Sequence, residues 1–263
     1  MASTKRGKNR EARMTLTEHF IELRKRLFRS ALGLLVGAIV GWFLADYLLD
    51  ALRGPITDIA TQQGRQAQLN YDSITGAFDL KMQIAVTVGV IISSPVWLYQ
   101  IWAFFVPALS RKELRYGFGF FFTAVPLFLV GAYTGWLLVP HIVTLLTSFA
   151  PGEDSAIISA KIYFDFVLKL MLAVGVAFVL PVFLVLLNFV GVVSAKSIIR
   201  SWRWAFILIV LFTAIATPAA DVLSMFLLAI PMVLLYLAAY GVAWLHDRRA
   251  ARNIQRLEAE LAA

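Results

Sequence analysis

Residues Ser93–Arg115 read SSPVWLYQIWAFFVPALSRKELR. An apolar, aromatic run carries Pro95 near its start, passes Pro107 and ends in a short basic loop. That loop holds one carboxylate, Glu113, among Arg111, Lys112 and Arg115. Around it the chain reads as a membrane scaffold, which sets this loop beside a second basic segment with its own acid, Glu22.

Working outward, 60% of the 263 residues are hydrophobic and 15% are charged, whereas soluble domains carry about 25% charged residues. Tyr116–Phe149 runs for 34 residues without Asp, Glu, Lys or Arg, and about 20 apolar residues span a bilayer core. Backbone groups in lipid must satisfy one another, so the spans are helices; the period-2 alternation of a β-barrel is absent. The expected fold class is an all-α polytopic membrane protein with six transmembrane helices. There is no cysteine, which excludes disulfides and thiolate chemistry. His19, His141 and His246 form no ligand-spaced set, so neither a metal nor any cofactor is expected. The net charge of +8 fits basic cytoplasmic loops facing anionic lipid better than nucleic acid.

Residues 1–13 are polar and basic and read as a disordered tail. Thr15-Leu16-Thr17-Glu18 fits a capping box. Leu16, Phe20, Leu23 and Leu27 then share one helix face while Glu18, Glu22, Lys25, Arg26 and Arg29 share the other. This stretch is expected to lie in the headgroup layer and turn into a first span, Ser30–Leu49. Asp50–Ala77 reads as an external loop. Phe78–Phe105 is a second span kinked at Pro95, and Ser110–Glu113 is a second capping box. A third span, Tyr116–Val139, has apolar text continuing past Pro140. A fourth covers Phe164–Val190, and an internal loop fills Gly191–Arg203. Trp204–Thr217 is a short apolar run of 14 residues, about 21 Å as a helix against a core of about 30 Å. Val222–Leu245 is the last span. The six-span domain thus covers 14–245, and 246–263 form a cytoplasmic tail. Of 24 Lys and Arg residues, 19 fall at 1–29, 106–115, 191–203 and the tail, which puts both termini in the cytoplasm.

No H-E-x-x-H, G-x-S-x-G, P-loop or G-x-G-x-x-G pattern is present, so an enzyme is not expected. The informative groups are Glu22 and Glu113, lone acids in cationic segments. Each has a purely helical reading: Glu22 pairs with Arg26 one turn on, and Glu113 closes a capping box with Ser110. Each could instead take one guanidinium of a ligand in a charge-assisted contact. Lys81 and Lys169 are expected to snorkel rather than pair with Asp79 or Asp165. Thr213 and Thr217 are read as bonding back to their own helix, and Asp221 as the N-cap of the last helix. A secondary transporter of a small solute and a structural scaffold are the competing classes.

The motifs His19-Phe20-Ile21-Glu22-Leu23-Arg24-Lys25-Arg26, Ser94-Pro95-Val96-Trp97-Leu98-Tyr99-Gln100-Ile101-Trp102-Ala103-Phe104 and Pro107-Ala108-Leu109 with Glu113 resemble the TatC family, the receptor subunits of twin-arginine protein translocases. Thr217-Pro218, Asp221 and Leu228-Ala229-Ile230-Pro231 resemble the family's last hairpin. The resemblance covers about 14–245. It implies a receptor in the cell membrane that binds twin-arginine signal peptides at its cytoplasmic face. With TatA-like and TatB-like single-span partners, in an oligomer, it would export folded proteins using the proton-motive force. By position Glu22 and Glu113 would receive the arginines, with Arg24 and Phe104 shaping the site. Thr213, Thr217, Asp221 and Met225 would face partner helices. The chain departs from the family pattern at Val179, where a polar residue is common, at the longer turn Thr217–Asp221, and at Met225.

Overall fold

The structure is a computed structural model that describes residues 16–63, 68–71, 73–105, 114–148, 157–216 and 222–262. Its elements are nearly all helical: α1 Leu16–Gln63, α2 Gly76–Ile92, α3 Ser94–Phe105, α4 Leu114–Ser148, α5 Ala160–Phe189, α6 Ala195–Arg200, α7 Trp202–Ala216 and α8 Val222–Ala262. Two strands of three residues, β1 Gln68–Asn70 and β2 Ile157–Ser159, pair in parallel with Leu69 opposite Ile158.

Among the described residues four helices are long and apolar enough to cross a membrane, and the bent pair α2–α3, taken as one span, makes a fifth. α7 has 15 residues, hence about 22 Å, and falls short of a full core by itself. α1 corrects two expectations. It is one helix of 48 residues, about 72 Å long, so its first turns continue the span instead of forming a separate interfacial segment. At its other end it runs through Gly54 and Pro55 to Gln63, so half of the expected external loop is helix. α8 likewise continues without a break to Ala262, and the Gly191–Arg203 loop contains α6 and the start of α7.

Ser93 separates α2 from α3, and the two cross at 54°. Pro95 lacks the N–H that would carry the ladder across the joint, and as an early residue of α3 it needs none. The indole Nε1 of Trp97 donates to Val90 O at 2.9 Å, satisfying a carbonyl the break leaves open. Beside it, α1 and α2 approach backbone to backbone. A Cβ on Gly37 would sit 2.6 Å from Gly89 O, so only glycine permits this contact. The core is built from α4 against α5, with Phe128, Phe164, Val167 and Leu170 fully buried.

One end of the bundle is tied by the strand pair and by Tyr163, whose hydroxyl donates to Leu52 O at 2.8 Å. The segments following α1 and α4 therefore share a side. Lys81 does not snorkel: its ammonium bonds both Asp46 oxygens at 2.8 and 2.9 Å and lies 5.2 Å from the Trp42 ring. Lys169 also pairs, with Asp165 at 2.6 Å, and Gln83 donates to the other oxygen of that carboxylate at 2.7 Å. Desolvation explains both corrections, because an ammonium near lipid is held more cheaply by a carboxylate one turn or one helix away than alone.

Candidate functional site

At the opposite end, the first turns of α1 meet the end of α3. His19, Glu22 and Arg26 are spaced three and four apart and so share a face. Gly33 lets the two helices close, since a Cβ there would lie 2.8 Å from Val96 Cγ1. Fourteen residues back along α1, and eight forward along α3, the His19 imidazole packs on the Phe104 ring at a centroid distance of 4.3 Å. Phe104 is half-buried there.

Glu22 Oε1 accepts from Arg26 through Nε at 3.0 Å and through the terminal nitrogen. This is the i, i+4 pair anticipated from spacing. Its other oxygen, Oε2, is buried and accepts no hydrogen bond among the described residues. A buried carboxylate oxygen without a donor is costly, so a guanidinium that reaches this atom once the groups covering it move aside gains a bond the resting structure leaves unmade. Arg24, Lys25 and Arg29 are exposed around it, and Arg24 takes no part in the Glu22 pair. The site is thus one half-engaged acid in a cationic rim, with an aromatic–imidazole stack beside it.

Glu113, Thr217 and Asp221 lie outside the described residues. Thr213 is fully buried and bonds back to Ile209 O and Val210 O, both at 3.0 Å, as its helical reading requires. Met225 is half-buried near the start of α8, and Val179 is buried and apolar. Sequence reasoning assigned no role to His19, although its place three residues before Glu22 puts it on the same face. It also missed Asp247. That carboxylate accepts from Ala195 N at 2.7 Å and from buried Asn188 Nδ2 at 2.9 Å, pinning the start of α6 to α8. Burial pushes the Asp247 carboxyl up, but these two bonds and the neighbouring His246 outweigh it and hold it below its ordinary value.

Fold and geometry define a multi-pass helical membrane protein with a carboxylate held among cations at one end of its bundle. The profile of the TatC family, Sec-independent protein translocase protein, matches residues 18–231, and the chain belongs to that family. The TatC protein of Xylanimonas cellulosilytica is 45% identical over 252 residues, covering 96% of this chain and 91% of the relative. The TatCy protein of Bacillus subtilis is 31% identical, with 94% and 93% covered. Two crystal structures of the twin-arginine translocase receptor TatC superpose with TM-scores of 0.72 and 0.75 at 31% and 30% identity. They cover 87% and 86% of this chain and 99% of the solved ones. The chain is a protein-transport component and not a catalytic enzyme.

Proposed function

We propose that this chain is the receptor that binds twin-arginine signal peptides at the cytoplasmic face of the cell membrane, with Glu22 and Glu113 each taking one guanidinium. The observation that carries the reading is the buried, unbonded Oε2 of Glu22, set beside the His19–Phe104 stack. A positive rim repels a positive peptide unless a local acid selects it, and a planar guanidinium fits a carboxylate in a way an ammonium cannot copy. Phe104 would pack against the peptide, and Arg24 would add to the rim's positive field.

In this reading the six-span domain covers 14–245, with α2–α3 as one span and α7 as the short fifth. Both termini and the 246–263 tail are cytoplasmic, with the basic segment 1–13 preceding the domain. TatA-like and TatB-like single-span proteins assemble on the oligomer, with Thr217, Asp221 and Met225 among their contacts; Thr213, fully buried within the chain, is left out of that set. Folded cargo is exported at the expense of the proton-motive force.

The test is photocrosslinking from a probe at Phe104 to a signal peptide carrying its arginine pair or two lysines. Crosslinks with arginines that vanish with lysines, and that are lost in Glu22→Ala and Glu113→Ala, are the expected result. Equal crosslinking by both peptides, or by both variants and the parent, overturns the site.

A further inference from the structure

A second constellation lies at the same end of the bundle. Because α5 is tied to the far end of α1 through Tyr163 and Leu52, the closing end of α5 and the α6–α7 segment sit on the Glu22 side. There α5, α7 and α8 enclose an open groove of about 440 Å³. Its walls are apolar, from Leu180 and Leu184 to Leu208, Ile209 and Met232, and its mouth is lined by Ser197, Ser201 and Trp204.

The helical register carries through the break between α6 and α7. Ser201 N donates to Ser197 O at 3.1 Å and Ala205 N to Ser201 O at 3.0 Å. Ser197, Ser201, Trp204 and Leu208 therefore form one ridge facing the groove. Lys196, Arg200 and Arg203 form the next ridge beside it, all exposed. Among the described residues none of these three cations pairs with a carboxylate. The nearby acid, Asp247, is committed to Ala195 N and Asn188. Trp202 and Trp204 are both exposed, as tryptophans at a membrane–water boundary are.

We propose that this groove holds an acyl chain of an anionic phospholipid, with its headgroup phosphate at the Ser197 and Ser201 hydroxyls and bound by Arg200 and Arg203, which flank the groove on the adjoining ridge without lining it. An acyl chain suits an apolar slot that opens sideways to lipid. A phosphate suits guanidiniums at headgroup level that hold no carboxylate, and Arg203, 5.8 Å from the Trp202 ring, keeps its hydrogen-bonding edge for one. The site fixes one lipid under α7, the helix too short to fill the bilayer core unaided, and so supplies apolar contact where the protein leaves a gap. The proposal uses the membrane placement of the bundle and not the signal-peptide reading.

The test is native mass spectrometry of the purified full-length chain with phosphatidylglycerol or phosphatidylcholine added. The parent is expected to retain phosphatidylglycerol preferentially. Arg200→Gln with Arg203→Gln should weaken that adduct on the order of tenfold while leaving phosphatidylcholine unchanged, given the usual gain per basic residue near an anionic surface. Ser201→Phe, which obstructs the mouth, should weaken both lipids. Arg252→Gln with Arg256→Gln should change neither, and excess inorganic phosphate should not displace the lipid. Retention of phosphatidylglycerol by the Arg200/Arg203 variant at the parent level overturns the site. So does an equal loss in the Arg252/Arg256 variant, which would mean surface charge alone. Displacement by phosphate would show that the groove contributes nothing. Ser201→Phe losing a single-span partner while keeping both lipids would assign the groove to a helix instead.

Discussion

At Glu22 the two carboxylate oxygens have different surroundings, and the difference separates structure from function. Oε1 is engaged by Arg26, a helix pair of the kind that contributes about 0.3–0.5 kcal/mol. Oε2 has no donor among the described residues. Glu22→Gln should therefore leave the unfolding temperature in detergent almost unchanged. It should weaken arginine-pair peptide binding ten- to a hundredfold, the loss of one charge-assisted hydrogen bond of about 1.5–3 kcal/mol. Fluorescence titration with a labelled peptide reads this directly. Asp247 behaves in the opposite way, because its bonds are internal. Asp247→Ala leaves buried Asn188 without one of its acceptors and Ala195 N without its own, though Ser194 still caps α6, and should cost about 1–3 kcal/mol in thermal unfolding. The folded carboxyl is held below its ordinary value, so its contribution is complete above the unfolded carboxyl pKa of about 4. It is lost as pH falls through the folded value. The advantage of the parent over Asp247→Asn should shrink only in that acid window.

Among elements, the bend and the close contacts position the site. Pro95 and Ser93 set α3 at 54° to α2, and that turn brings Phe104 under His19. Pro95→Ala restores an N–H at the joint and should relax the bend. Spin labels at Thr17 and Tyr99 would then report a longer or broader distance than in the parent. The contact of α1 with α2 allows no side chain at Gly89, where a Cβ would meet Ala38 N at 2.6 Å. Gly89→Ala should destabilise by about 1–3 kcal/mol, as overpacking does. Gly241→Ala, with nothing within 4 Å, should be neutral or slightly stabilising.

For the whole molecule, the strand pair and the Tyr163–Leu52 bond put the α1–α2 and α4–α5 connections on one side, and the His19–Phe104 and Asp247 groups mark the other. The chain has no cysteine, so single cysteines report sidedness cleanly. Thr17→Cys and Arg256→Cys should react with an impermeant maleimide from the cytoplasmic side. Ile74→Cys, fully exposed, should react from the other. Labelling of Arg256→Cys from the side of Ile74→Cys would remove one span from the count and void the six-helix arrangement.

Uncharged runs such as Tyr116–Phe149 fixed the helical membrane class by themselves, since a bilayer admits few alternatives to a helix that satisfies its own backbone. Local spacing likewise foretold the Glu22–Arg26 pair, the break near Pro95 and the back-bonding of Thr213, all contacts within about one or two turns. What lay between distant segments was not legible. Lys81 chose Asp46, which is 35 residues away, over Asp79, and Asp165 accepted from Gln83, 82 residues away. Asp247 reached across 52 residues to cap α6. Helix periodicity records which face a residue is on, but not which other helix that face will meet. Only the packing of α1 on α3 decided that an imidazole would pack on Phe104, and only that of α5, α7 and α8 that an apolar slot would open beside the Arg200 and Arg203 ridge.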